Sequence, residues 1–147
     1  MFQFEQEQES LEFLGFLVYN DHYCINLHKI QEIVYIPSIS TIPNVPYFVE
    51  GAINLRGKII RIINLRKWFK FPVKEMNEKS RIIIVRSQES IYGILVDEVY
   101  EVFRVEKKLK HEKSYLLNQQ PEISYIDNII DQDNCLFLEL NSKKLRV

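Results

Sequence analysis

The stretch IPNVPYFVEGAINLRGKIIRIINLRKWF, residues 42–69, organises the chain. Two apolar runs, residues 52–55 and 59–63, flank Arg56 and Gly57. Short β-branched runs on either side of a two-residue turn that contains glycine are a hairpin signal. The pattern therefore predicts a β-hairpin with Arg56 at its exposed tip, where an arginine serves recognition more often than packing.

Outward from this hairpin, the sequence consists of short strands rich in Ile, Val, Tyr and Phe, which is strand composition. Turn signals every ~8–12 residues predict a sandwich or barrel. A charged connector at residues 72–79 suggests two small barrels packed together. Residues 28–36 predict one helical turn leading into a strand, residues 65–69 a short amphipathic helix, and residues 106–120 a charged loop. The other predicted strands cover residues 13–19, 22–27, 81–86, 91–96, 99–105, 123–130 and 135–140.

Composition limits the possible classes of function. The 147 residues are 46% hydrophobic and 27% charged, with a formal net charge of −1, which is ordinary for a soluble globular protein and argues against a global polyanion binder. No apolar run approaches the ~18–20 residues that span a bilayer. Residues 1–10 are acidic, predict a flexible tail and lack a signal peptide's positive region, so we expect a cytoplasmic protein in which Cys24 and Cys135 are buried free thiols.

The sequence predicts no enzyme. Nucleotide-binding and serine-hydrolase motifs are absent, and the histidines and cysteines lack metal-ligand spacing, so we expect no catalytic residue, metal or cofactor. Asp97 and Glu98 form a tight carboxylate pair at a strand end, where turn carboxylates outnumber catalytic ones. An enzyme that uses Asp97 and His22 stays open as an alternative if both face one concave site.

The segment from Arg56 to Lys74 contains seven cations and no carboxylate. Its aromatic residues Trp68, Phe69 and Phe71 are interleaved with these cations, which is the pattern of a small β-barrel that binds single-stranded nucleic acid. The helical spacing of Trp68 and Phe69 favours a place in the core instead. Nucleic-acid binding is therefore the alternative function.

Four motifs resemble, in order, those of CheW-like chemotaxis coupling proteins. Residues 30–33, IQEI, resemble the family's VQEI. Residues 42–51 and the Asn-Leu-Arg-Gly run at 54–57 resemble its central signature, and residues 92–99, YGILVDEV, resemble the G-[IL]-x-V-D-x-V strand. With the opening strand at residues 13–16, the resemblance covers about residues 12–145. The family's frequent Pro and Asp are replaced here by Arg61 and Asn64.

The resemblance implies an all-β fold of two five-stranded SH3-like β-barrel subdomains packed on a shared apolar interface, with short helical turns. Residues 11–147 would form one domain, with the first barrel mainly at 22–75, the second mainly at 80–140, and the terminal strands able to exchange between them.

The same resemblance implies a non-enzymatic adaptor that couples the cytoplasmic signalling tip of a chemoreceptor (methyl-accepting chemotaxis protein) to the regulatory domain of the CheA histidine kinase. Such an adaptor would be recruited to membrane-bound receptor arrays without membrane insertion and would not bind nucleic acid. Aliphatic side chains would hold an apolar helix face, and Arg56 would meet carboxylates or helix carbonyls at the rim. The receptor-binding positions implied are Ile30, Glu32, Ile33, Asn54, Arg56, Gly57, Ile82 and Ile83.

Overall fold

The computed structural model describes residues 12–88, 90–105 and 124–145, and the backbone of residues 110–111. The expected tail at 1–10 and most of the expected charged loop at 106–120 lie outside these ranges; within that loop, residues 110–111 form a short strand rather than loop. The strands are β1 Glu12–Val18, β2 Asp21–Asn26, β3 Ile30–Val34, β4 Val49–Leu55, β5 Lys58–Asn64, β6 Arg81–Arg86, β7 Ile91–Val96, β8 Glu98–Arg104, β9 Lys110–His111, β10 Ile126–Gln132 and β11 Cys135–Leu140. The helical elements are α1, Leu65–Trp68, and 3₁₀ turns at Leu27–Lys29 and Ser142–Lys144.

The strands form two sheets. One has six strands in the order β8-β1-β2-β11-β10-β9, and the other has five in the order β3-β6-β7-β5-β4. Neighbouring strands are antiparallel except for β2 with β11 and β5 with β7, which are parallel. The sequence prediction of an all-β protein with two sheets and short helical turns is confirmed. The first sheet includes the two-residue β9 as a sixth strand, and the described strands leave both sheets open rather than closed into barrels.

Successive side chains of each strand point to opposite faces of its sheet. Those on one face form a core that the two sheets share, and those on the other face pack within their own sheet. Phe16, Tyr23, Ile83 and Ile94 belong to a cluster contributed by both sheets, which is the expected shared apolar interface. Side chains that point away from this shared core form a smaller cluster within each sheet. Within the five-stranded sheet these are Ile53, Ile60, Ile62, Ile82, Ile84 and Leu95, and within the six-stranded sheet they are Phe13, Cys24, Val105, Ile130 and Phe137.

The sheets divide the chain differently from the barrel boundaries expected from sequence. Strands β6 and β7, at residues 81–96, were expected in the second barrel but pair with β3 and β5 in the five-stranded sheet. That sheet is therefore one continuous segment, residues 30–96, and the six-stranded sheet combines strands from both ends of the chain. The charged connector at 72–79 joins two strands of one sheet and does not separate the subdomains. Strands from the two ends of the chain thus pair with each other in the six-stranded sheet.

Local predictions around the central hairpin agree with the structure. The helical turn at Leu27–Lys29 leads directly into β3, and Asn26 caps it by accepting the His28 backbone N–H at 2.9 Å. β4 and β5 pair as a hairpin around Arg56 and Gly57. Asn64 caps α1 by accepting the backbone N–H groups of Arg66 and Lys67, because its side-chain oxygen lies over the otherwise unpaired first turn.

The segment after β3 lies against the edge of β4. Ser40 and Ala52 exchange backbone hydrogen bonds of 2.8 and 2.9 Å. Gly51 permits this approach, because a Cβ at that position would lie 2.3 Å from the Ser40 carbonyl oxygen and the residue has φ of +152°. The edge of the hairpin is therefore covered where this bridge forms, and its tip projects beyond it.

Candidate docking surface around Arg56

The β4–β5 turn presents Arg56 to solvent. Leu55 and Lys58 pair across a two-residue loop in which Arg56 has φ of +52° and Gly57 φ of +89°. Positive φ at both central residues matches the twist of the hairpin strands, and the Asn54 side chain stabilises the turn by accepting the Gly57 backbone N–H at 2.9 Å. The Arg56 side chain is 68% exposed, so the predicted exposed tip is confirmed.

Arg56 forms an ion pair with Glu32 of β3, through its Nη2 and the carboxylate Oε2. Because β3 and β4 are the two ends of the strand order in this sheet, the pair connects its two edges across the open side. The hydrogen bond from Arg56 lowers the pKa of Glu32, and Gln31 adds a weaker bond of 3.4 Å. The structure thus brings together Glu32, Asn54, Arg56 and Gly57, which the sequence placed in two separate motifs.

An apolar strip lies on the face of β3 opposite to Glu32, because adjacent residues of a strand point to opposite faces. Ile33 is 40% exposed, and Tyr35, two residues further on, is 75% exposed with the Arg81 guanidinium 4.2 Å from its ring centroid. Ile30 is half-buried and packs against the core between the sheets. Sequence reasoning identified Ile33 and missed Tyr35, although alternation along an edge strand places residues i and i+2 on one face.

Ile82 and Ile83 do not lie on this surface. Both are completely buried, because β6 lies between β3 and β7 and is covered on both faces. Ile82 packs inside the five-stranded sheet, and Ile83 packs between the sheets. We therefore correct the expected direct contact of these two residues with a receptor. Ile83 supports the strip from within the sheet, because it is the strand partner of Ile33.

Three of the seven cations in the basic segment form ion pairs within the chain. Arg66 pairs with Asp97 at 2.6 Å and Lys67 with Glu50 at 3.3 Å, in addition to the pair between Arg56 and Glu32. Phe69 is 3% exposed, so it belongs to the core. Pairing of three cations and burial of Phe69 leave fewer cations and aromatic faces for a nucleic acid than the sequence pattern suggested, which disfavours that alternative.

The enzyme alternative fails because Asp97 and His22 have other partners. Asp97 accepts hydrogen bonds from Arg66 and from the Tyr19 backbone N–H at 2.8 Å. His22 stacks on Tyr100 with ring centroids 5.4 Å apart. No group of three His, Cys, Asp or Glu side chains with metal-binding geometry is found among the described residues.

Both cysteines are free thiols. Cys24 is fully buried, and burial together with the nearby Glu139 carboxylate raises its thiol pKa well above the ordinary value. Cys135 is only partly buried, which differs from the expectation for this residue. In the described ranges, no helix is both long and apolar enough to cross a membrane.

Comparison with known proteins agrees with this geometry. The CheW-like domain model matches residues 12–146. A crystal structure described as the scaffolding protein TtCheW from Thermoanaerobacter tengcongensis superposes with a TM-score of 0.75 at 29% identity, over 89% of this chain and 88% of the other.

Curated relatives carry the same name, chemotaxis protein CheW. The Helicobacter pylori protein is 32% identical over 70% of this chain and 62% of its own length. The Klebsiella aerogenes protein is 37% identical over 65% and 58%, and the Bacillus subtilis protein is 29% identical over 82% and 77%. The alignments thus span less than two thirds of the length of the first two relatives. Because the domain match extends over nearly all of the sequence, this chain belongs to the CheW-like family.

Proposed function

We propose that this chain is a non-enzymatic adaptor that couples the cytoplasmic signalling tip of a chemoreceptor to the regulatory domain of the CheA histidine kinase. The observation that carries the proposal is the exposed edge strand β3, which has the Ile33 strip on one face and the pair between Arg56 and Glu32 on the other, in a chain of the CheW-like family. The relatives are named as chemotaxis proteins, and the structural neighbour is described as a scaffolding protein.

The surface suits one amphipathic helix of a receptor. Ile33 and Tyr35 offer exposed apolar area for the apolar face of such a helix, and Arg56, across the edge of β3, would form the polar rim that fixes its register. Arg56 suits the rim because its guanidinium is exposed and can hydrogen-bond a carboxylate or a helix-terminal carbonyl while its turn stays fixed. Glu32 holds the side chain in place before the partner arrives.

The pair between Arg56 and Glu32 is well suited to exchange. Exposed ion pairs contribute little to stability because water screens them, so Arg56 can leave Glu32 for a receptor carboxylate at little energetic cost. The turn itself is held by the Asn54 side chain and not by the ion pair. Binding would therefore use a rigid turn that carries a movable guanidinium.

We also propose that the protein works in the cytoplasm and reaches membrane-bound receptor arrays through its partners, without a cofactor. The kinase must bind a second surface, since an adaptor bridges two proteins at the same time. Ile30, Asn54 and Gly57 would contribute to the receptor site by supporting the strip and the turn.

Co-sedimentation with purified receptor signalling fragments and CheA tests the proposal. Arg56→Glu should abolish receptor binding while the circular-dichroism spectrum and the midpoint of thermal unfolding stay unchanged. Lys79→Glu is the control, because it makes the same change of charge at an exposed connector position. Receptor-dependent stimulation of CheA should be lost with Arg56→Glu and kept with Lys79→Glu. Unchanged ternary assembly with Arg56→Glu would refute the receptor site.

A further inference from the structure

A second concave surface lies at the start of β4 and along α1. It is a cavity of about 570 Å³ whose walls are mostly aromatic. The residues that line it are Tyr47, Phe48, Lys67, Trp68, Lys70, Phe71 and Tyr125. Tyr47 is 68% exposed, so the cavity opens to solvent along one wall.

The aromatic walls are built around Trp68. The Phe48 ring meets the Trp68 ring edge-on with centroids 4.3 Å apart, and the Tyr125 ring also meets it edge-on, with centroids 5.3 Å apart. Edge-to-face contacts at these distances fix the indole in one orientation. The cavity therefore has rigid apolar walls, which lowers the entropy cost of binding a bulky apolar group.

The indole N–H of Trp68 has no acceptor. Its Nε1 atom is buried and makes no hydrogen bond. Indole nitrogen is only a donor, and a buried donor without a partner is unfavourable. The atom is closed to solvent, so an acceptor could reach it only if the aromatic walls moved.

The cavity also has a positive rim. Lys67 and Lys70 line it, and no Asp or Glu does. Lys67 is held by Glu50 at 3.3 Å and lies 4.8 Å from the centroid of the Tyr47 ring. Lys70 is exposed, with φ of +64°, and forms no ion pair with any described residue. The cation of Lys70 and the lack of acidic side chains in the lining therefore favour an anionic partner.

We propose that this cavity docks a short protein segment in which a bulky apolar side chain stands next to carboxylates. The apolar side chain would pack between Tyr47 and Phe71, and a carboxylate would meet Lys70. An open wall and an exposed Tyr47 suit a polypeptide that continues past the cavity better than an enclosed small molecule.

The cavity is separate from the surface around Arg56. Phe48 immediately precedes β4 and Arg56 immediately follows it, and a strand of seven residues at ~3.3 Å each places them about 20 Å apart. The two surfaces can therefore be occupied together, and a variant at one leaves the other intact.

Fluorescence provides a direct test, because Trp68 is the only tryptophan of the chain. The probe is the peptide Ac-EELFEE-NH2, titrated into the full chain, with Ac-QQLFQQ-NH2 as its neutral counterpart. We expect saturable quenching of Trp68 with a Kd on the order of 100 μM for the acidic peptide and at least tenfold weaker binding for the neutral one. Absence of saturable quenching by the acidic peptide, or equal affinity for both peptides, would overturn the proposal.

Variants assign the binding to this cavity. Lys70→Gln and Tyr47→Ala should each weaken peptide binding about fivefold, while Lys79→Gln and Arg56→Glu should leave it unchanged. An affinity for the acidic peptide that Lys70→Gln and Tyr47→Ala leave unchanged would overturn the proposal. Quenching by 3-phenylpropionate as strong as that by the peptide would show a small-acid site and overturn it too.

Discussion

Arg66 of α1 and Asp97, between β7 and β8, form a bidentate ion pair that joins the two sheets. The Arg66 Nη2 lies 2.6 Å from one carboxylate oxygen of Asp97, and Nε lies 3.0 Å from the other. The side chains are only 11% and 14% exposed. Asp97 also accepts the Tyr19 backbone N–H from the β1–β2 turn, so one carboxylate connects three parts of the fold.

Removing this carboxylate should destabilise the protein strongly. We expect Asp97→Ala to lower the free energy of unfolding by about 3 kcal/mol, because it leaves a poorly exposed guanidinium without its partner. Urea denaturation followed by circular dichroism measures the change. Glu101→Ala, at an exposed position on β8, should change it by less than about 0.5 kcal/mol. Similar values for the two variants would show that the pair does not connect the sheets energetically.

Substitutions at two paired isoleucines should separate stability from binding. Ile83→Ala should lower the free energy of unfolding by about 3 kcal/mol, since the side chain is fully buried between the sheets. Ile33→Ala should cost less than about 1 kcal/mol, because its side chain is 40% exposed, yet it should weaken receptor co-sedimentation. If Ile33→Ala binds the receptor as well as the parent does, the apolar strip is not part of the receptor-binding site.

Two glycine substitutions should differ for a stereochemical reason. Both residues have positive φ, but only at Gly51 would a Cβ collide with backbone, whereas at Gly57 it would have open space. We expect Gly57→Ala to cost about 1 kcal/mol and Gly51→Ala about 3 kcal/mol or more. Thermal and chemical unfolding of the two variants test this order, and a larger loss at Gly57 would contradict the close approach of Ser40.

Tyr92 should make stability depend on alkaline pH. Burial raises the pKa of its phenol to about 12, and the hydroxyl donates to the Ser142 carbonyl at 2.6 Å. The unfolded chain loses this proton near pH 10, so the folded state binds more protons between about pH 10 and 12 and stability falls as pH rises through that window. The contribution is complete below about pH 10.

The variant Tyr92→Phe isolates this effect. At pH 8 it should be less stable than the parent by about 1 kcal/mol, because it lacks the hydrogen bond. Between pH 10 and 12 the parent should lose up to about 2 kcal/mol more than the variant. Urea denaturation across that range gives the difference, and parallel pH profiles would contradict the raised pKa.

Sequence patterns predicted the hairpin and the strands because alternation and turn residues act locally. The Arg56–Gly57 turn and the exposure of Arg56 follow from about a dozen neighbouring residues. The continuous aliphatic run at 81–86 is typical of a strand buried on both faces, and this burial excludes Ile82 and Ile83 from the docking surface. The resemblance included them because it matches positions and carries no information about burial.

The remaining features depend on contacts between distant segments. The pairs of Glu32 with Arg56 and of Asp97 with Arg66 join residues far apart in sequence, and no periodicity reveals them. Asp97 resembled a solvated turn carboxylate because its own neighbours do form a turn. The placement of β6 and β7 in the five-stranded sheet was missed, because a charged connector can be an exposed loop within one sheet as easily as a boundary between subdomains.

The nested arrangement of the sheets has a consequence for how the chain folds. The five-stranded sheet needs only the continuous segment 30–96, whereas the pairing of Tyr23 with Leu138 closes a loop that includes most of the chain. Closing the longer loop costs more conformational entropy, and distant pairings slow folding. We therefore expect the inner sheet to form first and to act as a template on which the two ends of the chain meet.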